Sequence, residues 1–485
     1  MTGPIPRREA LWRLGGGLGG VALAEMLGRD GLLAGAGAGA GGPRPRPGLN
    51  GGLHHPAKVK RVVQLFMNGG VSQMDTFDHK PELDRRHGEE FRPGSGEHVE
   101  APTSAPGKVM KSPFAFRRHG ESGRWVSEVF PHLSGGVDDM AFLMAVASKT
   151  NVHGPASYMM NTGFLLPGFP CAGAWISYGL GSLTDDLPTF VVLPDPKGLP
   201  YNAKGNFTPG FLPMSHQGTI LDAGAKAPVP DLFPADRPSR LSAGAERAGL
   251  DLLARQNRRH AAEHPGDSRL DARIASYELA ARMQTSAPEA LDLAGETPAT
   301  RRLYGLDDPA TEDFGRRCLL ARRLVERGVR FVQVWSGADN AFPRRNWDSH
   351  EDIARDHGAM ARGMDRPAAA LLLDLKARGL LDDTVVVWTT EFGRMPCGQG
   401  GKGRDHNPFT FTAWLAGGGV KGGTTHGASD EWSYKAAENP TYGYDLHATV
   451  LHLLGIDHTR LTFRHNGIDR RLTDVHGRVI REILA

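Results

Sequence analysis

Cysteine is scarce: Cys171, Cys318 and Cys397 are the only three in 485 residues. Three thiols exclude a disulfide framework and a four-cysteine zinc site. No uncharged apolar run reaches membrane-spanning length, which excludes a multi-span membrane protein. Charge of one sign is also missing, since 57 Lys+Arg against 54 Asp+Glu leaves +3. A nucleic-acid binder would show a basic excess or stripe, so no nucleic-acid partner is expected. Hydrophobic residues make up 40 % of the chain, enough for a packed core. The length suits one large domain, or one with a cap. Glycine, by contrast, is plentiful at 63, and sixteen of these fall within residues 1–52.

That glycine-rich start reads as a leader. Arg7-Arg8 precedes an uncharged, weakly apolar segment from Leu14 to Ala24, and a small-residue tract follows at 34–40. Charged, apolar and small-residue parts in this order describe a secretory signal. The paired arginines resemble a twin-arginine signal. Residues 1–40 are therefore expected to be removed on export by the twin-arginine machinery, to the periplasm or beyond. Residues 41–57 read as a linker and 58–485 as the folded domain, with no transmembrane anchor in the mature chain.

Six short apolar runs punctuate the domain: Val62–Met67, Ala141–Ala147, Thr189–Leu193, Val329–Trp335, Thr384–Thr390 and Phe409–Ala416. Near-continuous hydrophobicity predicts strands buried on both faces, as in a parallel sheet covered by helices. Helical patterns at Phe314–Arg327 and Pro367–Ala377 lie between some of them, the second opening on proline and stopping at Gly379. Strand–helix alternation gives an α/β fold with a mostly parallel central sheet and helices on both faces. The charged, alanine-rich stretch 240–310 reads as a helical insertion.

Chemistry in such folds collects beyond the carboxyl ends of the strands. The polar residues gather there. Asn68 to Asp75 follows the first run, Ser148 to Ser157 with His153 follows the second, and Asp348 and His350 follow the fourth. Glu391 and Arg394 follow the fifth, and Arg404, Asp405 and His406 lead into the sixth. Acids and imidazoles are the usual oxygen and nitrogen ligands of divalent metals. A single cluster such as Asp348–His350 reads better as a loop hydrogen bond. Four at successive strand ends point to a common site, with room for two metals.

The order of these motifs resembles the alkaline phosphatase and sulfatase superfamily. Thr384–Arg394 is similar to its apolar strand ending in a metal motif, and Arg404–His406 to its later metal histidine. More closely, Phe66–Pro81, Leu319–Val329, Trp347–His350, Glu391–Arg394, Gly403–Pro408 and Asp445–His458 resemble a bacterial, twin-arginine-exported, sulfatase-like family of unknown function. The resemblance implies an alkaline phosphatase-like α/β sandwich. It also shows departures. Asn68 stands where catalytic members have aspartate, and Glu391-Phe392-Gly393 where they have Asp-His-Gly. Counting back from Thr162-Gly163, the nucleophile position holds His153, which cannot become formylglycine. Ser157 and Thr150 are the nearest hydroxyls.

The expectation is an exported, metal-dependent, hydrolase-like protein acting on phosphate or sulfate esters, polysaccharide esters among them. The metal would be zinc, manganese or calcium. Asp348, His350, Glu391 and His406 would bind it, with Asn68, Asp75 and Asp405 as further ligands. His153 would be nucleophile, ligand or general acid, mainly neutral at a helix start. Arg394 and Arg404 would hold anionic oxygens. The alternative is a non-catalytic protein that binds anionic glycans or scaffolds an envelope complex.

Overall fold

The computed structural model describes residues 49, 52–92, 99, 103–225, 228–229, 242–339 and 346–485. The expected leader and most of the expected linker lie outside these residues. The chain divides into two units: residues 1–44 with 234–278, and 45–233 with 279–485. In the first, the helix Ala243–Glu263 is capped by Ser242, whose hydroxyl accepts from Ala245 N–H. The helix Ser268–Leu291 begins in that unit and ends in the second, where Met283, Ala287 and Ala290 join a hydrophobic core.

The second unit is built on a nine-stranded sheet. In chain order the strands are β1 (Arg61–Met67), β2 (Met140–Ala147), β3 (Phe190–Leu193), β4 (Thr219–Ile220), β5 (Phe331–Ser336), β6 (Thr384–Thr390), β9 (Phe411–Gly417), β10 (Thr425–His426) and β11 (Thr441–Tyr442). Between β6 and β9 lies a separate antiparallel hairpin of β7 (Gly393–Gln399) and β8 (Gly403–Asn407). The sheet order is β10-β2-β9-β6-β1-β5-β3-β4, and β11 also pairs with β2. Only β9 runs against its neighbours, so the sheet is mostly parallel. All six apolar runs become strands because a doubly covered sheet wants apolar residues on both faces. On β1, Val63, Leu65 and Met67 face one core, while Val62 and Phe66 face the other.

Helices α1 (His153–Thr162), α2 (Ala172–Leu180), α3 (Glu312–Glu326), α4 (Ile353–Ala377) and α5 (Gly443–Leu453) cover the sheet. Leu320 and Leu324 of α3 and Leu371 and Leu375 of α4 enter the first core. Trp175 and Ile176 of α2 and Leu446 and Leu451 of α5 enter the second. One boundary differs from expectation. Pro367 does not open a helix but lies inside α4. The apolar stripe continues through Ala361, Met364, Ala368 and Leu371, so packing on both sides outweighs the one lost backbone bond. No helix among the described residues is long and apolar enough to cross a membrane.

Register decides where the chemistry goes. Met67 pairs with Ser336 on one side and Thr390 on the other, so β1, β5 and β6 end level. Asn68-Gly69, Gly337-Ala338 and Glu391 therefore leave the sheet side by side. Phe411 pairs with Val146, which brings the segment entering β9 beside the segment leaving β2. His406 and His153 are thereby delivered to the same edge.

Candidate metal centre

Asp348 sits at the focus. The Nε2 atoms of His350, His406 and His153 lie 2.7, 3.1 and 3.3 Å from its Oδ1. The two Nε2 atoms of His350 and His406 are 2.9 Å apart. The rings of His153 and His406 meet edge-on with centroids 4.4 Å apart. Three segments that are distant in sequence thus converge, and the cluster is buried apart from a partly exposed His350.

The hydrogen bonds behind each ring fix its tautomer. His406 Nδ1 is 2.7 Å from the Asn151 carbonyl, which can only accept. Its Nδ1 therefore carries the hydrogen, and Nε2 presents a lone pair. His153 Nδ1 donates to Glu391 Oε1 at 2.7 Å, with the same consequence. The case of His350 runs through a relay. Asp405 accepts from the Thr103 hydroxyl at 2.8 Å, so that oxygen's lone pair receives Gln399 Nε2 at 2.9 Å. Gln399 Oε1 then faces His350 Nδ1 at 2.5 Å. When neutral, all three imidazoles aim lone pairs at one place. Two such nitrogens at 2.9 Å repel unless a proton or a cation lies between them. Burial and then Arg394 act against a proton on His406, whose pKa is pushed down to about 4 although Asp348 draws it upward. Ligands bound at about 2.0–2.2 Å sit roughly 2.9–3.5 Å apart in octahedral or tetrahedral arrangements, close to the spacings found. His153 Nε2 is buried with no well-directed hydrogen bond, since its 3.3 Å approach to Asp348 is an ion-pair distance only. The donor set fits a divalent cation.

Charge supports the same focus. Burial opposes the Asp348 carboxylate, yet Arg394 and the three imidazoles hold its pKa far below the usual range. For His153 burial favours the neutral ring, but the nearby Asp348 carboxylate and the Glu391 carboxylate bonded to Nδ1 prevail and raise its pKa. In the metal-free protein the two carboxylates thus act on this ring in the opposite direction to the helix terminus.

Several expected ligands stand elsewhere. Glu391 lies behind His153, its Oε1 also accepting from Gly69 N–H at 2.7 Å and its Oε2 from the Thr390 hydroxyl at 3.1 Å. It orients His153 rather than closing the focus. Asp75 accepts Arg404 Nε at 2.6 Å and Nη2 at 3.1 Å in a fully buried pair. Asp405 belongs to a second donor set with His350 and His406. Its oxygens already accept from Thr103 N–H, Ser104 N–H and His406 N–H as well as hydroxyls, so it acts through the relay. Asn68 donates to the Ala338 carbonyl at 3.0 Å, and its Oδ1 has no partner.

The two arginines are also reassigned. Arg394 donates to Gly69, Gly70 and Arg404 carbonyls and to Asp348, and is wholly buried. Arg404 donates to Asp75, Met395 and Met110 and is equally buried. Neither has its fork turned outward to an anionic ligand. They lock the 69–75 turn, the 347–350 loop and the hairpin together. Gly69 allows this closeness: at φ +117° a Cβ there would lie 2.6 Å from Asp348 N.

Three residues escaped sequence reasoning. Tyr201 stacks on His153 at 4.2 Å and 7°, with its hydroxyl accepting from Asn346 Nδ2 at 3.1 Å. Gln399 steers His350. His357, fully buried, accepts Ser72 N–H at 2.9 Å and joins the Ser349 hydroxyl at 2.7 Å, tying two site loops. None lies in a motif, and only pairing across the fold reveals them.

Fold and site together define a mixed α/β protein with a buried three-imidazole, one-carboxylate cluster at the carboxyl edge of a mostly parallel sheet. Over residues 59–484 the chain matches, and belongs to, the family described as "Protein of unknown function (DUF1501)". No curated protein sequence matches. Among solved structures, the lipoteichoic acid synthase LtaP from Listeria monocytogenes is similar at 11 % identity, covering 88 % of this chain and 78 % of that one, with a TM-score of 0.36. The PsFucS1 sulfatase from Pseudoalteromonas sp. is similar at 12 % identity, 82 % and 68 % coverage and a TM-score of 0.34. Alkaline phosphatase from the Antarctic bacterium TAB5 gives 9 % identity, 82 % and 98 % coverage and a TM-score of 0.32.

Proposed function

We propose that this protein is an exported, divalent-metal-dependent hydrolase of phosphate or sulfate esters, with esters of polysaccharides among its substrates. One observation carries the reading: three imidazole Nε2 atoms, each with its Nδ1 held by an acceptor, converge on Asp348 Oδ1. His153, Asp348, His350 and His406 would hold the cation. Nitrogen-rich donors favour zinc ahead of manganese, and three imidazoles argue against calcium, which prefers an all-oxygen shell. Bound there, the cation supplies a Lewis acid toward an ester oxygen.

The remaining roles belong to the chain. Helix α1 begins at His153, and its first N–H groups lack intrahelical partners, which favours an anionic oxygen beside them. Burial, then Asp348 and Glu391, raise the Tyr201 pKa, so its phenol stays protonated beside His153. Glu391 holds His153 by accepting from its Nδ1. Ser157 is committed to Asn206 at 3.0 Å, and Thr150 accepts Val152 N–H. With these hydroxyls occupied, direct attack by water suits the site better than an ester intermediate on the chain. The inward-facing arginines leave no clamp for a transferring phosphoryl or sulfuryl group, which favours the second reading, a non-catalytic protein that binds anionic glycans through other groups or scaffolds an envelope complex.

Elemental analysis and an ester panel test the proposal. Zinc or manganese should co-purify stoichiometrically and fall in the Asp348→Ala/His406→Ala double variant. At least one aryl phosphate, phosphodiester or sulfate should be hydrolysed, and a chelator should abolish it. Unchanged metal in a folded double variant would remove these residues from the site. Stoichiometric metal with no turnover across the panel would favour the binding reading.

A further inference from the structure

Away from the cluster, aromatic rings join three separated segments into one surface. Phe164 lies flat on Phe169 at 3.7 Å, and Phe169 meets Phe211 edge-on at 6.1 Å. Phe211 stacks on His465 at 4.6 Å, within the hairpin of Phe463–His465 and Ile468–Arg470. Each of these segments also carries an exposed apolar side chain: Leu166 is 67 % exposed, Met214, three residues after Phe211, 53 %, and Ile468, opposite His465 in the hairpin, 50 %. Leu166 tops the loop Phe164-Leu-Leu-Pro-Gly-Phe169. Clustered exposed apolar side chains mark an interaction surface.

Charge selects the occupant. Residues 150–184 and 205–221 contain no Asp, Glu, Lys or Arg. Residues 457–471 carry four arginines against two aspartates. The strand register puts Arg470 on the hairpin face shared by Phe463, His465 and Ile468, while Arg464 and Asp469 pair at 3.3 Å on the other. Arg470 Nε is buried without a partner. The patch thus offers hydrocarbon tips and positive charge at its margin, while Asp469 of the same hairpin is paired with Arg464 on the opposite face. A second copy would bring the same arginine and no carboxylate to meet it. A glycan would need hydrogen-bonding groups that Leu166, Met214 and Ile468 lack.

We infer that this patch docks the protein on an anionic lipid surface, with Leu166, Met214 and Ile468 entering the acyl boundary and Arg470 meeting headgroups. The ten-residue α1 separates the Phe164 loop from His153 by roughly 15 Å at 1.5 Å rise per residue, so docking leaves the imidazole cluster clear.

Vesicle co-sedimentation tests this with the full chain. Wild type should bind phosphatidylcholine vesicles containing phosphatidylglycerol several-fold more than phosphatidylcholine alone, and salt should weaken it. The Leu166→Asp/Ile468→Asp variant should lose about tenfold of that affinity with an unchanged melting temperature. Arg470→Gln should remove the preference for the anionic vesicles. Because every variant keeps the leader, any binding by residues 1–40 is common to all. Equal binding by wild type and the double aspartate variant would overturn the inference. A wild-type dimer split by Leu166→Asp, without vesicle binding, would reassign the surface to a second copy.

Discussion

Acidification should unfold this protein through its buried neutral histidines. Burial pushes the pKa of His216 and His447 down to about 4 and that of His357 to about 3, with Arg394 adding to the effect at His357. His447 shows why: its Nε2 donates to the Met160 carbonyl at 3.0 Å, and its Nδ1 is buried without a partner. Unfolded, each ring titrates near 6.5. The unfolded state therefore takes up protons first as pH falls. Stability is complete above about 6.5 and drains away as pH drops toward the folded values. At pH 5 each ring contributes a loss of about 2 kcal/mol, so three together remove about 6 kcal/mol from a typical total of 5–15. In metal-free protein His406 adds to the loss, whereas His153 opposes it because its folded pKa is raised. Urea unfolding in chelator at pH 7.5, 6.5 and 5.0 measures the slope. His447→Gln, which retains a donor for Met160, should flatten that slope by up to about 1.4 kcal/mol per pH unit. A midpoint that stays level from pH 7.5 to 5.0, or a variant slope equal to wild type, would refute the reasoning.

The site makes further commitments. Glu391→Gln should lower metal affinity about 10- to 100-fold by titration calorimetry while the stoichiometry persists, because it disturbs the orientation of His153 rather than removing a ligand. Arg404→Met strands the buried Asp75 carboxylate and should destabilise by about 3–5 kcal/mol in urea. Asp75→Asn in that background should recover part of the loss. Gly69→Ala drives a Cβ against Asp348 N and Trp347 N, so metal content should fall even where circular dichroism shows a folded chain.

The legible part of the fold was the part written in runs. Val62–Met67 and Thr384–Thr390 are largely apolar, broken only by Gln64 and by three threonines, because both faces of β1 and β6 are covered, and such runs need no knowledge of partners. The β7–β8 hairpin was illegible for the opposite reason. Gly-Arg-Met-Pro-Cys-Gly-Gln and Gly-Arg-Asp-His-Asn contain proline, glycine and charge, which read as loop. Their strands form because Arg394 and Arg404 find acceptors inside, and that pairing exists only in three dimensions. Pro367 misled in the same manner, since a proline is a start signal only when packing does not carry the helix past it.

Residue type announced the site, but connectivity assigned the roles. Asp348, His350, Glu391, His406 and His153 were all visible as strand-end polar residues, yet the sequence could not tell a ligand from the group that aims it. Glu391 and Asp348 are both buried acids near His153. What separates them is that Glu391 meets Nδ1 and a backbone N–H, whereas Asp348 meets three Nε2 atoms. Arginine was the costlier confusion. A guanidinium near a cluster of acids suggests an anion clamp, but five donors on a buried fork will take carbonyl oxygens wherever turns present them. Gly69, Gly70 and Arg404 do so for Arg394. Its positive charge then serves Asp348, drawing that carboxyl's pKa down, together with the three imidazoles, against a burial that raises it. An ionised Asp348 is what allows three neutral imidazoles to share one focus with a cation. Replacing Arg394 with glutamine should thus weaken metal binding and make it more dependent on pH below neutrality, although no arginine atom would touch the metal. Metal affinity that falls by the same factor at every pH would show that Arg394 matters only as a strut.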